Sequence, residues 1–256
     1  AARLKHIRQE QGPHTVAILG GRYRGHMQEL FRRFARSYGT PNEVDSGSIG
    51  SGNSTLAAYL TQGVPDYLAY DWQNADYVIS FGASLIESFR PTVFVQRMVA
   101  NMRRGRPGRR GKIVTVDPRY SVTASKSDEW VPIRPGTDAA LALGMAAVIV
   151  REGLHDQRFL EAHTAGFEEW KKSVLDEISL DFVSEQTGVR ADVIEHLARE
   201  FAAKDRHSFA VAGRGAGMHT NGLYNLMAIH CLNALVGNLD SPGGVLVQEH
   251  PAFTDW

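Results

Sequence analysis

Acids, arginines and glycines fall at telling places between Ile113 and Asp138, in the stretch IVTVDPRYSVTASKSDEWVPIRPGTD. A β-branched run, Ile113 to Val116, reads as a buried strand. It stops at Asp117-Pro118-Arg119: a carboxylate, a rigid turn and a guanidinium in direct succession. A second apolar stretch ends at Pro135-Gly136-Thr137-Asp138, immediately before the helix-like run Ala139 to Arg151. Carboxylates accept from ribose hydroxyls or a guanine edge, and an arginine can clamp phosphate, so the combination suits a nucleotide. Either half alone reads more readily as a turn with solvated charges, because proline, glycine and aspartate are common turn formers.

Such residues need elements to hold them, and the chain alternates strand-like and helix-like segments. Strands are expected at 15–19, 77–81, 113–116 and 208–212. They end, respectively, in Gly20-Gly21-Arg22, Gly82-Ala83-Ser84 (with Glu87-Ser88 close behind), Asp117-Pro118-Arg119 and Gly213-Arg214-Gly215. Helical patterns cover Met27 to Tyr38, Pro91 to about Met102, 139–151, 156–163, 167–177, 180–187, 191–203 and Leu223 to Val236, whereas 39–55, rich in Gly, Ser and Asn, reads as a loop. The alternation predicts an α/β fold: a doubly wound parallel sheet with helices on both faces, Rossmann-like. In such sheets ligands sit outside the carboxyl ends of the strands. Four strand ends carrying glycine, hydroxyl, acid or arginine on one face make a nucleotide-bearing cofactor the leading idea. No G-x-G-x-x-G follows the first strand, and His26-Met27 stand where a P-loop has Lys and Ser/Thr.

Composition excludes several classes. The 28 basic and 28 acidic residues of the 256 cancel, which argues against nucleic acid as a partner. No apolar run is long enough to span a bilayer. Cys231 is the single cysteine, so the chain alone cannot build a disulfide, a zinc–cysteine site or an iron–sulfur cluster. It lies with His230 in an apolar helical pattern, where an inert thiol and a packing histidine are expected. The cluster Arg103, Arg104, Arg106, Arg109, Arg110 and Lys112 follows a helix end and reads as a solvated turn rather than a phosphate patch.

The order and spacing of several motifs resemble the molybdopterin oxidoreductase family, which includes dimethyl sulfoxide, polysulfide, thiosulfate and tetrathionate reductases. These motifs are Val116-Asp117-Pro118-Arg119, Thr123-Ala124, Pro132-Ile133-Arg134-Pro135-Gly136-Thr137-Asp138, Gly166-Phe167-Glu168-Glu169-Trp170, Thr187-Gly188-Val189, Gly213-Arg214-Gly215, Asn233-Ala234-Leu235-Val236-Gly237-Asn238 and Pro242-Gly243-Gly244. The resemblance implies a molybdenum or tungsten ion held by bis-molybdopterin guanine dinucleotide. It implies cofactor contacts from Gly21, Arg22, Ser84, Glu87, Ser88, Asp117, Arg119, Gly136, Asp138, Gly213, Arg214 and Gly215. It also implies that residues 1–45 belong to a neighbouring cofactor-binding lobe and 46–256 form the Rossmann-like guanine dinucleotide domain.

On this resemblance the chain is part of a longer catalytic subunit, inactive by itself, with a [4Fe-4S] segment before it and further domains after it. Expected partners are those domains, an iron–sulfur electron-transfer subunit and a membrane quinone-reactive subunit, in a periplasmic or membrane-associated complex. Gly50 stands where sulfur-reducing members carry a metal-ligating Cys, leaving Ser48 or Ser51 as substitutes or the metal without a protein ligand. Two other readings stay open: a non-redox structural subunit that kept the fold, and a different nucleotide-binding α/β domain.

Overall fold

The computed structural model of the chain describes residues 1–21, 23, 25–44, 52–89, 91–205 and 207–248. Two compact units divide it, Ala1–Gly52 and Asn53–Trp256.

The first unit contains α1 (Ala2–Glu10), β1 (Ile18–Leu19), α2 (His26–Tyr38) and β2 (Glu43–Val44). Helix α2 carries Met27, Leu30, Phe31, Phe34 and Tyr38 at helical spacing, and it ends where Gly39 turns left-handed, with φ of 94°. The strand expected at 15–19 is corrected here. Pro13–Thr15 form a 3-10 turn in which the Thr15 hydroxyl donates to the Gly12 carbonyl at 2.8 Å, and the paired strand is confined to Ile18–Leu19. Those two residues pair in parallel with Glu43–Val44 in their own two-stranded sheet, apart from the main one. The loop reading of 39–55 is corrected at both ends, by β2 and by a helix beginning at Gly52.

The second unit begins with α3 (Gly52–Gln62), β3 (Ala69–Tyr70), β4 (Tyr77–Phe81), α4 (Thr92–Ala100), β5 (Lys112–Val116), α5 (Val122–Lys126) and β6 (Glu129–Val131). It continues through α6 (Asp138–Arg151), α7 (Gln157–His163), α8 (Phe167–Glu177), α9 (Leu180–Thr187) and α10 (Ala191–Phe201). It closes with β7 (Ser208–Ala212), α11 (Arg214–Gly217), α12 (Gly222–Leu235) and β8 (Val245–Leu246). The main sheet has the order β6-β5-β4-β7, every neighbour parallel, with Val78 opposite both Ile113 and Phe209. Strands β3 and β8 form a separate antiparallel pair.

Period-two alternation sorts the strand side chains into two cores. Tyr77, Ile79, Phe81, Val114, Val116 and Ala210 join Leu141, Met145, Ile194, Leu197, Phe201 and Ile229 from α6, α10 and α12. Val78, Ile113, Phe209 and Val211 join Trp72, Val95, Val99 and Met102. Burial on both faces explains why these strands are almost continuously apolar. Helix α6 is the pivot of the first core, and Gly144 lets α9 approach, since a Cβ there would meet Val183 Cγ1 at 2.9 Å. No helix among the described residues is long and apolar enough to cross a membrane.

Strand β7 is the outer strand, and α12 covers its free edge with a side chain. Asn233, fully buried, accepts from the Ala210 amide at 2.7 Å and donates to the Ala210 carbonyl at 2.9 Å. Asn238 adds a donation to the Ser208 carbonyl at 2.5 Å. An unpaired buried amide or carbonyl costs roughly 1–3 kcal/mol. Asn233→Ala is therefore expected to lower stability by about 2–4 kcal/mol in urea denaturation. An unchanged midpoint would show that water replaces the side chain at no cost.

At the amino-terminal end of the sheet most of the basic cluster is paired. Arg103 and Arg110 meet Asp128, Arg106 and Arg109 meet Asp76, and Lys112 lies between Glu129 and Glu200. Despite partial burial, the arginines and the His207 amide hold Asp76 below the usual carboxylate range. This charge layer fastens the sheet's lower rim; the candidate site lies at the opposite end.

Candidate functional site

Strands β4, β5, β6 and β7 run the same way, so the loops that follow them share one rim. After β5 the chain folds into a tight turn in which Asp117 Oδ1 accepts from the Arg119 amide at 2.8 Å. The Asp117 carbonyl accepts from Trp130 Nε1 at 2.9 Å, and its amide donates to Val131, tying this turn to β6. Asp117 is buried while Arg119 is exposed.

After β6 the chain reaches Pro135-Gly136-Thr137. Gly136 has φ of +80°, the left-handed region that favours glycine, and Thr137 Oγ1 donates to the Arg134 carbonyl at 2.7 Å. This turn delivers Asp138 as the first residue of α6, only 5% exposed. Burial pushes its carboxyl up to about 6, and the neighbouring charge of Asp117 adds to the effect; its own amide and His219 oppose it. The two acids are thus electrostatic neighbours on one rim, as the strand-end argument expects.

A network of asparagines fastens that rim. Asn221 donates to the Gly136 carbonyl at 2.9 Å. Asn225, fully buried, accepts from the Ala139 amide at 3.1 Å and donates to the Ala216 carbonyl at 2.9 Å. His219 stands against Gly136, its Nδ1 at 3.4 Å from where a Cβ would be. Asn225 therefore occupies the first free amide of α6, and the anion-binding capacity of that helix end is reduced accordingly. Sequence reading missed His219, Asn221 and Asn225. The signal that could have exposed Asn225 is a polar residue within an otherwise apolar helical run, which must find partners when buried.

The loops after β4 and β7 meet each other. The Gly213 amide donates to the Phe81 carbonyl at 2.9 Å, and the Gly215 amide donates to the Gly82 carbonyl at 3.1 Å. A Cβ on Gly215 would come within 2.8 Å of the Gly82 Cα, and one on Gly213 would overlap the Ala83 backbone. These glycines are required by loop-against-loop packing, and the two amides are already engaged. Arg214 between them is exposed.

Ser84 adopts φ of 46°, rare for a residue with a side chain, and its carbonyl accepts from Ser88 and Phe89. Glu87 is engaged within the fold. It accepts from the Thr123 amide at 3.1 Å and from the Thr123 hydroxyl, and these bonds hold its carboxyl below the usual range against partial desolvation. Glu87 thereby clamps the β4 loop onto the start of α5.

Gly21 lies in the first unit and is exposed; Arg22, Ser48, Gly50 and Ser51 fall outside the described residues. His230 is buried, its ring 3.1 Å from Thr61 Oγ1, and burial pushes its pKa down to about 4. Burial likewise pushes the Cys231 thiol up to about 11, so it stays protonated at neutral pH.

A family model described as Molybdopterin oxidoreductase matches residues 1–250. The thiosulfate reductase molybdopterin-containing subunit PhsA of Salmonella typhimurium is 33% identical across 98% of this chain and 32% of its own length. The arsenate respiratory reductase molybdopterin-containing subunit ArrA of Shewanella sp. is 30% identical, with 98% of this chain and 32% of that protein covered. Among solved structures, acetylene hydratase from Pelobacter acetylenicus superposes with a TM-score of 0.72 at 29% identity, covering 92% of this chain and 31% of the other. The chain therefore spans about a third of the length of these relatives.

Proposed function

The chain belongs to the molybdopterin oxidoreductase family, and from that membership we propose that it is the guanine dinucleotide-holding part of a molybdenum or tungsten oxidoreductase. The observation that carries this reading is the pair Asp117 and Asp138, both buried, the first directly after β5 and the second at the start of α6, which follows the neighbouring parallel strand β6.

The donor set fits a guanine nucleotide. A desolvated carboxylate gains most from a partner that presents hydrogen-bond donors, and the guanine edge offers N1–H and N2–H side by side. Asp138 takes that edge, and Asp117 takes ribose hydroxyls. Two neighbouring acids repel phosphate, so the diphosphate belongs beside the exposed guanidiniums of Arg119 and Arg214. Gly136 allows the left-handed turn that aims Asp138. Ser84 and Ser88 line the adjacent loop, while Glu87, Gly213 and Gly215 shape it by holding other backbone in place.

When bound, the metal and its pterins supply two-electron chemistry on an oxo- or sulfur-type substrate. The residues of this chain bind and orient the nucleotide end. The relatives include a hydratase as well as reductases, so the substrate is set by parts of the active site beyond this rim.

In the same reading, the second unit is a doubly wound, Rossmann-like dinucleotide domain, and residues 1–45 belong to a neighbouring cofactor-binding lobe whose Gly21 and Arg22 are cofactor contacts. The metal ligand then is Ser48 or Ser51, or the protein supplies none. The working enzyme is assembled with the remaining domains, an iron–sulfur subunit and a quinone-reactive membrane subunit, at or across the bacterial membrane from the cytoplasm.

The test is chemical. Acid treatment of the purified full-length protein should release guanosine monophosphate and a fluorescent oxidised pterin in matching amounts. Recovery of pterin without any guanine nucleotide would remove the dinucleotide assignment.

A further inference from the structure

One exposed aromatic at this rim has a fixed place and an open face. Tyr120 is 62% exposed, and its ring contacts Trp130 edge-to-face at a centroid distance of 4.9 Å. Exposure alone means little, since single surface aromatics are common. What distinguishes Tyr120 is that both flanks are pinned. The turn before it is closed by Asp117 Oδ1 on the Arg119 amide, and the Ser121 amide donates to the Arg119 carbonyl at 2.8 Å. The residue after it caps α5, with Ser121 Oγ accepting from the Ala124 amide at 3.1 Å. Trp130, which buttresses the ring, is itself anchored on the Asp117 carbonyl. Backbone hydrogen bonds on both flanks and a buttressing indole therefore hold this residue, three positions after Asp117, with less conformational entropy to lose on binding than a free surface tyrosine.

We propose that Tyr120, backed by Trp130, is the stacking platform for the nucleobase whose hydrogen-bonding edge meets Asp138. The proposal rests on the nucleotide reading above and adds a residue that selects for a flat heterocycle. Edge recognition by acids and face recognition by an aromatic are complementary, because neither alone excludes small polyols or amines. Removing one aromatic partner from a stacked base typically weakens binding on the order of tenfold, and the expected effects are set by that scale.

Titrating the chain with GDP by calorimetry tests this. Tyr120→Ala should weaken GDP binding roughly tenfold, whereas Tyr120→Phe should bind like the parent. Binding should also quench tryptophan fluorescence, and Trp130→Phe should remove that quench. If Tyr120→Ala binds GDP as tightly as the parent while Asp138→Asn does not, there is no stack and only the edge recognition survives. If Tyr120→Phe loses as much as Tyr120→Ala, the phenol hydroxyl and not the ring face makes the contact, and the proposal fails. Absence of GDP binding by the parent chain would remove the stacking proposal and the nucleotide reading together. Tyr120 is mostly exposed, so thermal unfolding of the variants should match the parent and separate a binding effect from misfolding.

Discussion

Asp138→Asn is expected to act in opposite directions on the empty and the loaded protein. In the ligand-free chain, burial raises this carboxyl to about 6 from an ordinary value near 4. A raised folded-state pKa means that the native state binds the proton more tightly than the unfolded chain does. The associated stability is complete below the unfolded pKa and is lost as pH rises through about 6. At pH 8 the ionised group is therefore a burden on the fold. Its neutral isostere should unfold later by up to about 3 kcal/mol, taking roughly 1.4 kcal/mol per pKa unit. At about pH 4, where the parent carboxyl is protonated, the two proteins should unfold together.

On the proposed guanine contact the sign should reverse with cofactor, because an ionised carboxylate is the form that accepts hydrogen bonds. A hydrogen bond to a charged group contributes about 1.5–3 kcal/mol. In the full-length enzyme the variant should lose pterin and guanine nucleotide during purification, while GDP binding to the parent chain should strengthen as pH rises through about 6. A variant less stable than the parent at pH 8, with full pterin content, would show that Asp138 is a packing residue and no ligand. Residues that weaken an empty fold are expected at binding sites, since what the ligand satisfies is left unsatisfied without it.

Gly213→Ala is expected to prevent folding of the second unit. The added Cβ would overlap the Ala83 backbone and crowd the Gly82 carbonyl, and no rotamer change relieves a backbone clash. The loops after β4 and β7 would have to separate, breaking the Gly213–Phe81 and Gly215–Gly82 hydrogen bonds at the rim. Losses above about 4–5 kcal/mol come from this kind of clash and exceed what many domains can bear. The measurement is soluble yield together with hydrogen exchange at Phe81 and Ala212.

Gly21→Ala is the contrasting variant. Among the described residues its Cβ would meet nothing closer than the Tyr23 ring at 3.6 Å, and the fold should be unchanged. Equal tolerance of both substitutions would mean that the β4 and β7 loops are free to move. The sequence treats these two glycines alike, as backbone approach points for a cofactor. The structure assigns Gly213 to the protein's own packing and leaves Gly21 unconstrained by it.

Where an element carries its own reason, the sequence was sufficient. Tyr77–Phe81, Lys112–Val116 and Ser208–Ala212 are short apolar runs buried on both faces, and each was legible from its own residues. Helices α6 to α10 follow from apolar spacing, the Gly188 stop and the Ser179 cap, all of which act within a few residues. Thr15–Leu19 shows the limit of that reasoning: the run is apolar enough for a strand, but Thr15 closes a 3-10 turn begun at Pro13, and only Ile18–Leu19 find a strand partner. Its partner, Glu43–Val44, lay inside what reads as a Gly- and Ser-rich loop. Strand β6 was missed for a related reason, since Glu129-Trp130-Val131 has little pattern of its own and is extended because β5 pairs with it.

The same division holds at the site. Local chemistry announced that Asp117 and Asp138 follow a strand and a turn, because proline, glycine and helix-start preferences act over a few bonds. What surrounds those acids, and the raised pKa of Asp138, were decided only by packing, since burial and Coulomb interaction depend on distance in space and not along the chain. Glu87 makes the point from the other side. By type it could accept from a ligand, yet α5, reached more than thirty residues later, supplies Thr123 as its partner. Sequence determined which chemical groups stand at the ends of the strands; the tertiary structure decided which of them the protein uses to hold itself together and which remain for a ligand.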